Sequence, residues 1–128
     1  MKAAEVYAEL SSAKRLQVGC VIVKNDTIIG IGYNGMPSGW TNVCEDENFV
    51  TKPEVLHAGS NALAKVARST NSSENATLFV THAPCLNCAK MIYQAGITEV
   101  FYRNTYKDPA GVEFLKKCGV YVEQIESV

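Results

Sequence analysis

Two runs of β-branched and apolar residues, 18–23 (Val-Gly-Cys-Val-Ile-Val) and 27–33 (Thr-Ile-Ile-Gly-Ile-Gly-Tyr), are separated only by Lys24, Asn25 and Asp26. So short a polar break predicts a β-hairpin, and the near-continuous apolar character predicts strands covered on both faces. Ahead of them, residues 3–10 favour a short helix. Further along the period changes. Ala58, Ala62, Leu63, Val66 and Ala67 recur at helical spacing, which predicts a helix over 57–68. A strand is expected over 77–81, and then a helix over 84–95 with Pro84 in its first turn and Gly96 just past its end. Residues 99–102 read as a strand, Asp108-Pro109 opens a helix that closes at Gly119, and 120–125 form the last strand. Between the hairpin and the 57–68 helix, an irregular segment runs from Asn34 to about residue 53. Loops this long are uncommon in compact domains unless they serve a function or are disordered. The order α-β-β-α-β-α-β-α-β predicts an α/β fold, a mixed sheet with helices on both faces. It leaves the strand order open.

Composition narrows the class. The chain has 128 residues, 47% hydrophobic and 20% charged, which fits one globular domain spanning 1–128. A net charge of −1 argues against a general nucleic-acid or membrane-surface binder, since those carry a basic excess. No apolar run is long enough for a membrane span, and the start, Met1-Lys2-Ala3-Ala4-Glu5, has no apolar signal-like core. The five cysteines are an odd number, and two stand as Cys85-x-x-Cys88. Without a secretory signal that spacing reads as metal or redox chemistry before disulfides, so a reducing, cytoplasmic compartment is expected.

The chemistry converges on Pro84-Cys85-Leu86-Asn87-Cys88 at a helix start. Cysteines at i and i+3 share one helical face, and a helix N-terminus favours thiolate over thiol. Tetrahedral zinc then needs a third ligand, with the fourth position left to water in a catalytic site. His57 is the candidate, also at the start of a predicted helix. His82, close before Cys85, is its rival. A Cys-x-x-Cys pair alone could equally be a redox dithiol, and a histidine at a helix start could be a cap. The remaining Cys20, Cys44 and Cys118 offer no second pair for a four-ligand structural site.

His57-Ala58-Gly59 followed by Pro84-Cys85-Leu86-Asn87-Cys88 resembles the zinc nucleobase deaminase signature His-x-Glu … Pro-Cys-x-x-Cys. The chain is identified as similar to the cytidine deaminase superfamily, and more narrowly to its deoxycytidylate (dCMP) deaminases. The narrower likeness rests on Gln17-Val-Gly-Cys-Val-Ile-Val23, on Gly30-Ile-Gly-Tyr-Asn-Gly-Met-Pro37, and on Pro84-Cys-Leu-Asn-Cys-Ala-Lys90 running into Gln94-Ala-Gly-Ile97. It covers nearly the whole chain, whose compact length resembles phage or bacterial members; for a phage protein the compartment would be the host cytoplasm. The resemblance implies a three-layer α/β/α fold around a mixed five-stranded sheet. It also implies hydrolysis of dCMP to dUMP, with one catalytic zinc on His57, Cys85 and Cys88.

The resemblance further implies that backbone groups at Ala58 and Cys85 hold the base and the attacking oxygen, and that Asn34 bonds the deoxyribose hydroxyl. Arg103, with Tyr102 beside it, is expected to take the 5′-phosphate, because a guanidinium suits a bidentate phosphate. Lys14, Arg15 and Gly35 are candidates for a regulatory triphosphate, dCTP as activator or dTTP as inhibitor, held with Mg2+ in a homohexamer. One position departs from the pattern. Gly59 stands where the family has the glutamate that carries a proton from the attacking water to N3 of cytosine. Glycine is a poor helix residue, about 1 kcal/mol worse than alanine, so propensity gives no reason for it. The chain is therefore expected to bind without turnover. The reading is an engineered Glu-to-Gly substitution, with a naturally inactive regulatory relative as the alternative. Deamination of tRNA adenosine, a free base or dCTP is the rival activity; the Gly-Tyr-Asn-Gly-Met-Pro loop and near-neutral charge favour a small nucleotide.

Overall fold

The computed structural model describes residues 1–126. In chain order its elements are α1 (Lys2–Ala8), β1 (Gly19–Lys24), β2 (Thr27–Tyr33), α2 (Ala58–Ala67), β3 (Thr77–His82), α3 (Leu86–Gln94), β4 (Glu99–Asn104), α4 (Ala110–Lys117) and β5 (Tyr121–Gln124). The strands form one sheet in the order β2-β1-β3-β4-β5. β1 is antiparallel to both β2 and β3, whereas β3, β4 and β5 run parallel. Both halves follow from the connections. The β1–β2 turn is two residues long, with Asn25 and Asp26 at φ 51° and 60°, the backbone that a tight hairpin favours. Parallel neighbours instead need crossover connections, supplied by α3 and α4.

Alternation along the strands sorts the side chains into two layers. Cys20, Ile22, Leu78, Val80 and Val100 meet Ala62, Val66, Ile92 and Leu115 of α2, α3 and α4 in the main core. Each fully buried aliphatic side chain there stabilises the fold by about 1.5–3 kcal/mol. The opposite face is covered in part by α1, which lies so close to β1 that a Cβ on Gly19 would fall 1.9 Å from the Ala4 carbonyl oxygen. Beyond α1 that face carries Phe79 stacked on Phe101 at 5.2 Å, with Tyr121 tilted against Phe101 at 6.0 Å. The three-layer arrangement is the one expected.

The boundaries shift where tertiary contacts extend or curtail a local tendency. α1 stops at Ala8 rather than residue 10. β3 and β4 run on together to the His82–Asn104 pair. The 34–57 segment is ordered by its own bonds: Gly35 pairs with Leu56, and Glu45 with Thr51. The Asp46 carboxylate accepts the N–H groups of Asn48 and Val50 at 2.8 and 3.0 Å, closing the tip of a small hairpin over 44–52. No described helix is long and apolar enough to cross a membrane.

Candidate metal centre and ligand cavity

His57 and Cys85 are each the residue before a helix. Both are extended, His57 at φ −80°, ψ 153° and Cys85 at φ −71°, ψ 170°, and they open α2 and α3 respectively. Cys85 and Pro84 thus stand outside the helix that was expected to include them, and only Cys88 lies within its first turn. Two glycines hold these starts in place. A Cβ on Gly32 of β2 would lie 2.2 Å from the Ala58 carbonyl oxygen, and one on Gly111 of α4 would lie 2.1 Å from that of Pro84. Backbone therefore packs directly on backbone at both helix starts.

This positioning brings one nitrogen and two sulfurs together. The His57 Nδ1 is 3.3 Å from Cys88 Sγ and 3.5 Å from Cys85 Sγ, and the donor atoms of the three residues all lie within 4.8 Å of one another. Zinc–nitrogen and zinc–sulfur bonds of about 2.0–2.1 and 2.3 Å at a tetrahedral angle would set N and S about 3.6 Å apart. The donor set fits that ion. Burial, and then the neighbouring Cys85 thiol, push the Cys88 thiol up to about 12, against the Ser60 backbone bond that works the other way. A bound cation reverses this by stabilising thiolate. Cys20 is fully buried, and burial raises its thiol, with Cys88 adding to the effect. It stays a neutral core residue.

The cluster stands in the wall of a cavity of about 520 Å³. Ala58 and Gly59 line it from α2, Asn34 and Val18 from the hairpin side, and His82 and Ala83 from the end of β3. The wall is completed by Thr105, Tyr106 and Lys107 after β4, and by Arg15, Glu45 and Thr51 from the loops. A cavity at the carboxyl ends of β3 and β4 is where α/β sheets usually bind ligands.

Asn34 is tied to the chain on both sides of its amide: Oδ1 accepts the Val18 N–H and Nδ2 donates to the Leu16 carbonyl, each at 2.8 Å. One lone pair and one N–H remain for a ligand. Gly59 is buried, yet a Cβ there would meet only Ile92 Cδ1, at 3.9 Å. Neither packing nor a positive φ requires glycine. His82 lines the cavity but stands outside the three-donor cluster. Its Nδ1 is 3.0 Å from Thr81 Oγ1 and its Nε2 is 3.5 Å from Asn104 Nδ2. Burial, and then the Arg103 guanidinium, lower its pKa.

Two expected phosphate ligands do not reach the cavity. Tyr102 packs against the core. Arg103 follows Phe101 to the other face of the sheet by strand alternation, and there its guanidinium pairs with Glu5 of α1. The cationic side chains that do line the cavity are Arg15 and Lys107. Arg15, expected with Lys14 and Gly35 at a regulatory site, lines the cavity, whereas Lys14 and Gly35 do not; Lys107 lines it with no expectation from the sequence. The available signal was its place just beyond the end of β4, beside the strand that leads into the cysteine pair.

A protein-family model described as the cytidine and deoxycytidylate deaminase zinc-binding region matches residues 1–104. The chain is 36% identical to ComE operon protein 2 of Bacillus subtilis, covering 98% of this chain and 69% of that protein. It is 37% identical to the deoxycytidylate deaminase of Saccharomyces cerevisiae over 97% of this chain, which spans 43% of the yeast enzyme. Among solved structures, the dCMP deaminase of cyanophage S-TIM5 in complex with dCMP and dUMP superposes with a TM-score of 0.95. It is 48% identical to this chain and covers 97% of it, with 92% of the phage chain matched.

Proposed function

Because this chain belongs to the family defined by the cytidine and deoxycytidylate deaminase zinc-binding region, we propose that its site is built for hydrolytic deamination of dCMP to dUMP, within one domain over 1–128. The observation that carries the reading is the cluster of His57, Cys85 and Cys88 in the wall of a cavity large enough for a nucleotide. The phage relative, whose structure contains both dCMP and dUMP, supports that substrate over a base or tRNA.

His57, Cys85 and Cys88 would hold zinc, which supplies a water nucleophile near neutral pH. In the balanced reaction water oxygen bonds C4, the C4–N4 bond breaks and ammonia leaves. The rest falls to the chain. Backbone groups at Ala58 and Cys85, at the starts of α2 and α3, would bind the base edge and developing negative charge. Asn34 offers its free lone pair and N–H to the sugar hydroxyl. Arg15 and Lys107, with the Tyr106 hydroxyl, take the 5′-phosphate in place of Arg103. Charge and geometry support this, since Arg103 is already paired with Glu5 and no described carboxylate forms such a pair with Arg15 or Lys107.

Gly59 has no group to move a proton to N3. Glu54, the nearest alternative in sequence, does not line the cavity. The carboxylate that does is Glu45, whose Oε2 is engaged by two backbone N–H groups. The chain as it stands is therefore a nucleotide binder with negligible turnover, whether by engineered substitution or as a naturally inactive regulatory relative. Regulation by dCTP and dTTP with Mg2+ at Lys14, Arg15 and Gly35, in a hexamer, rests on family resemblance. So does the cytoplasmic setting, which the five unpaired thiols also support.

The deciding experiment offers dCMP, dCTP, deoxycytidine and tRNA to the zinc-loaded Gly59→Glu variant and follows products by mass spectrometry. Conversion of dCMP alone, or far ahead of the others, is expected. Preferred conversion of tRNA or deoxycytidine would overturn the substrate assignment.

A further inference from the structure

Glu45 is an acidic residue in the wall of a cavity proposed to receive an anion, and it is 94% buried, with a relative exposure of 6%. A carboxylate in such a place needs strong partners. It finds them in the main chain. Its Oε2 accepts the backbone N–H of Lys14 at 2.9 Å and of Arg15 at 3.1 Å, bonds strengthened by its charge. The same carboxylate forms no ion pair with the Arg15 guanidinium, since the described pair in this chain is Arg103 with Glu5. The guanidinium reaches instead to the Thr51 hydroxyl at 3.5 Å, and Thr51 is the residue bridged to Glu45 across the 44–52 hairpin.

We propose that Glu45 is a positioning residue for nucleotide recognition: with Thr51 it holds Arg15 from behind, so that the guanidinium faces the cavity with its charge uncompensated. Binding two N–H groups turns the 14–15 backbone inward and orders a stretch that has no regular structure of its own. The negative charge is absorbed by main-chain dipoles and leaves the arginine free for phosphate. Selectivity for a nucleotide over its nucleoside then depends on a carboxylate that never touches the phosphate. This rests on the reading of Arg15 as a phosphate ligand.

The test measures binding of dCMP and of deoxycytidine by calorimetry on the zinc-loaded chain, in which Gly59 prevents turnover. Glu45→Ala should weaken dCMP binding about tenfold, the scale of one charged hydrogen bond, and change deoxycytidine less than twofold. Glu45→Gln retains an acceptor and should recover most of that loss. Adding Glu45→Ala to Arg15→Ala should weaken dCMP binding little beyond Arg15→Ala alone, because both act through one group. Equal losses for both ligands, or additive losses in the double variant, would overturn the positioning role. If Arg15→Ala itself spares dCMP, the phosphate assignment fails instead. Should Glu45→Ala not fold, Thr51→Val carries the test. Thr51 is exposed, so the variant should fold normally yet weaken dCMP selectively; an unchanged affinity would sink the proposal.

Discussion

Gly32 and Ala58 are in direct backbone contact: a Cβ on Gly32 would sit 2.2 Å from the Ala58 carbonyl oxygen and 2.5 Å from the Ala62 nitrogen. β2 and the first turn of α2 thus pack backbone on backbone, and His57 is the residue that enters that turn. The Asn61 side chain adds a bond from α2 to the Tyr33 carbonyl at 2.9 Å. The imidazole is placed by backbone packing at the residue that follows it.

Gly32→Ala should therefore destabilise the chain by about 1–3 kcal/mol or more, the scale of overpacking, and also weaken zinc binding by displacing His57. Gly35→Ala, where a Cβ meets nothing within 4 Å, should stay within about 0.5 kcal/mol. Urea unfolding with parallel zinc determination checks both. Equal stability of the two variants would show that α2 gives way freely.

The metal centre predicts about one zinc per chain bound by two thiolates and one imidazole. Cys85→Ser and His57→Ala should lose most of the metal, whereas His82→Ala should retain it. Elemental analysis of purified variants decides. Metal lost with His82 and kept without His57 would reverse the ligand assignment.

Restoring a carboxylate at position 59 should start catalysis. General acid–base assistance contributes about 10² to 10⁴ in rate, and one group serving several proton transfers belongs at the upper end. The new Cβ would lie 3.9 Å from Ile92 Cδ1, ordinary contact, so Gly59→Glu should fold and bind dCMP with only a modest change in affinity. A steady-state assay tests this. Deamination by the unaltered chain at about 1 s⁻¹, an ordinary enzyme rate, would show that another group carries the proton.

Phosphate recognition separates three basic residues. Arg15→Ala and Lys107→Ala should each weaken dCMP binding by about 1.5–3 kcal/mol and leave deoxycytidine nearly unaffected. Arg103→Ala should spare that discrimination and act on stability, since its partner Glu5 has a second carboxylate oxygen already buried without a partner. Titration of each variant with both ligands is the measurement. A dCMP-selective loss in Arg103→Ala would return the phosphate to the residue expected from spacing.

His82 gives an acid limb. Its folded pKa lies below the ordinary 6.5, through burial and then the Arg103 charge, so the unfolded chain takes up its proton first as pH falls. The stability this group contributes is present above pH 6.5 and is lost as pH drops through 6.5 towards the folded value. Melting temperatures between pH 5 and 8 should fall less steeply below about 6.5 for His82→Gln than for the parent. Parallel curves would show that His82 titrates alike in both states.

Much of this protein was legible before any fold was known, because the signals are local. The Lys24-Asn25-Asp26 break dictates a tight hairpin, the spacing of Ala58, Ala62 and Val66 dictates a helix, and Cys85 and Cys88 lie three residues apart across a helix start. The pairing of those cysteines with His57 was also foreseen, from the motif and the two helix starts. Strand order was not, because β1 between β2 and β3 is a choice among edges that periodicity leaves equivalent. Nor was the side of the sheet on which Arg103 emerges. Alternation gives two faces to a strand but does not say which one meets the cavity; that depends on register against β3, where the Tyr102–Val80 pair turns Tyr102 to the core and Arg103 to Glu5. Arg15, Glu45 and Lys107 are far apart along the chain and carry no shared pattern. The loop packing that closes the 44–52 hairpin over residues 14 and 15, and the register that carries β4 on to Asn104, bring them to one cavity.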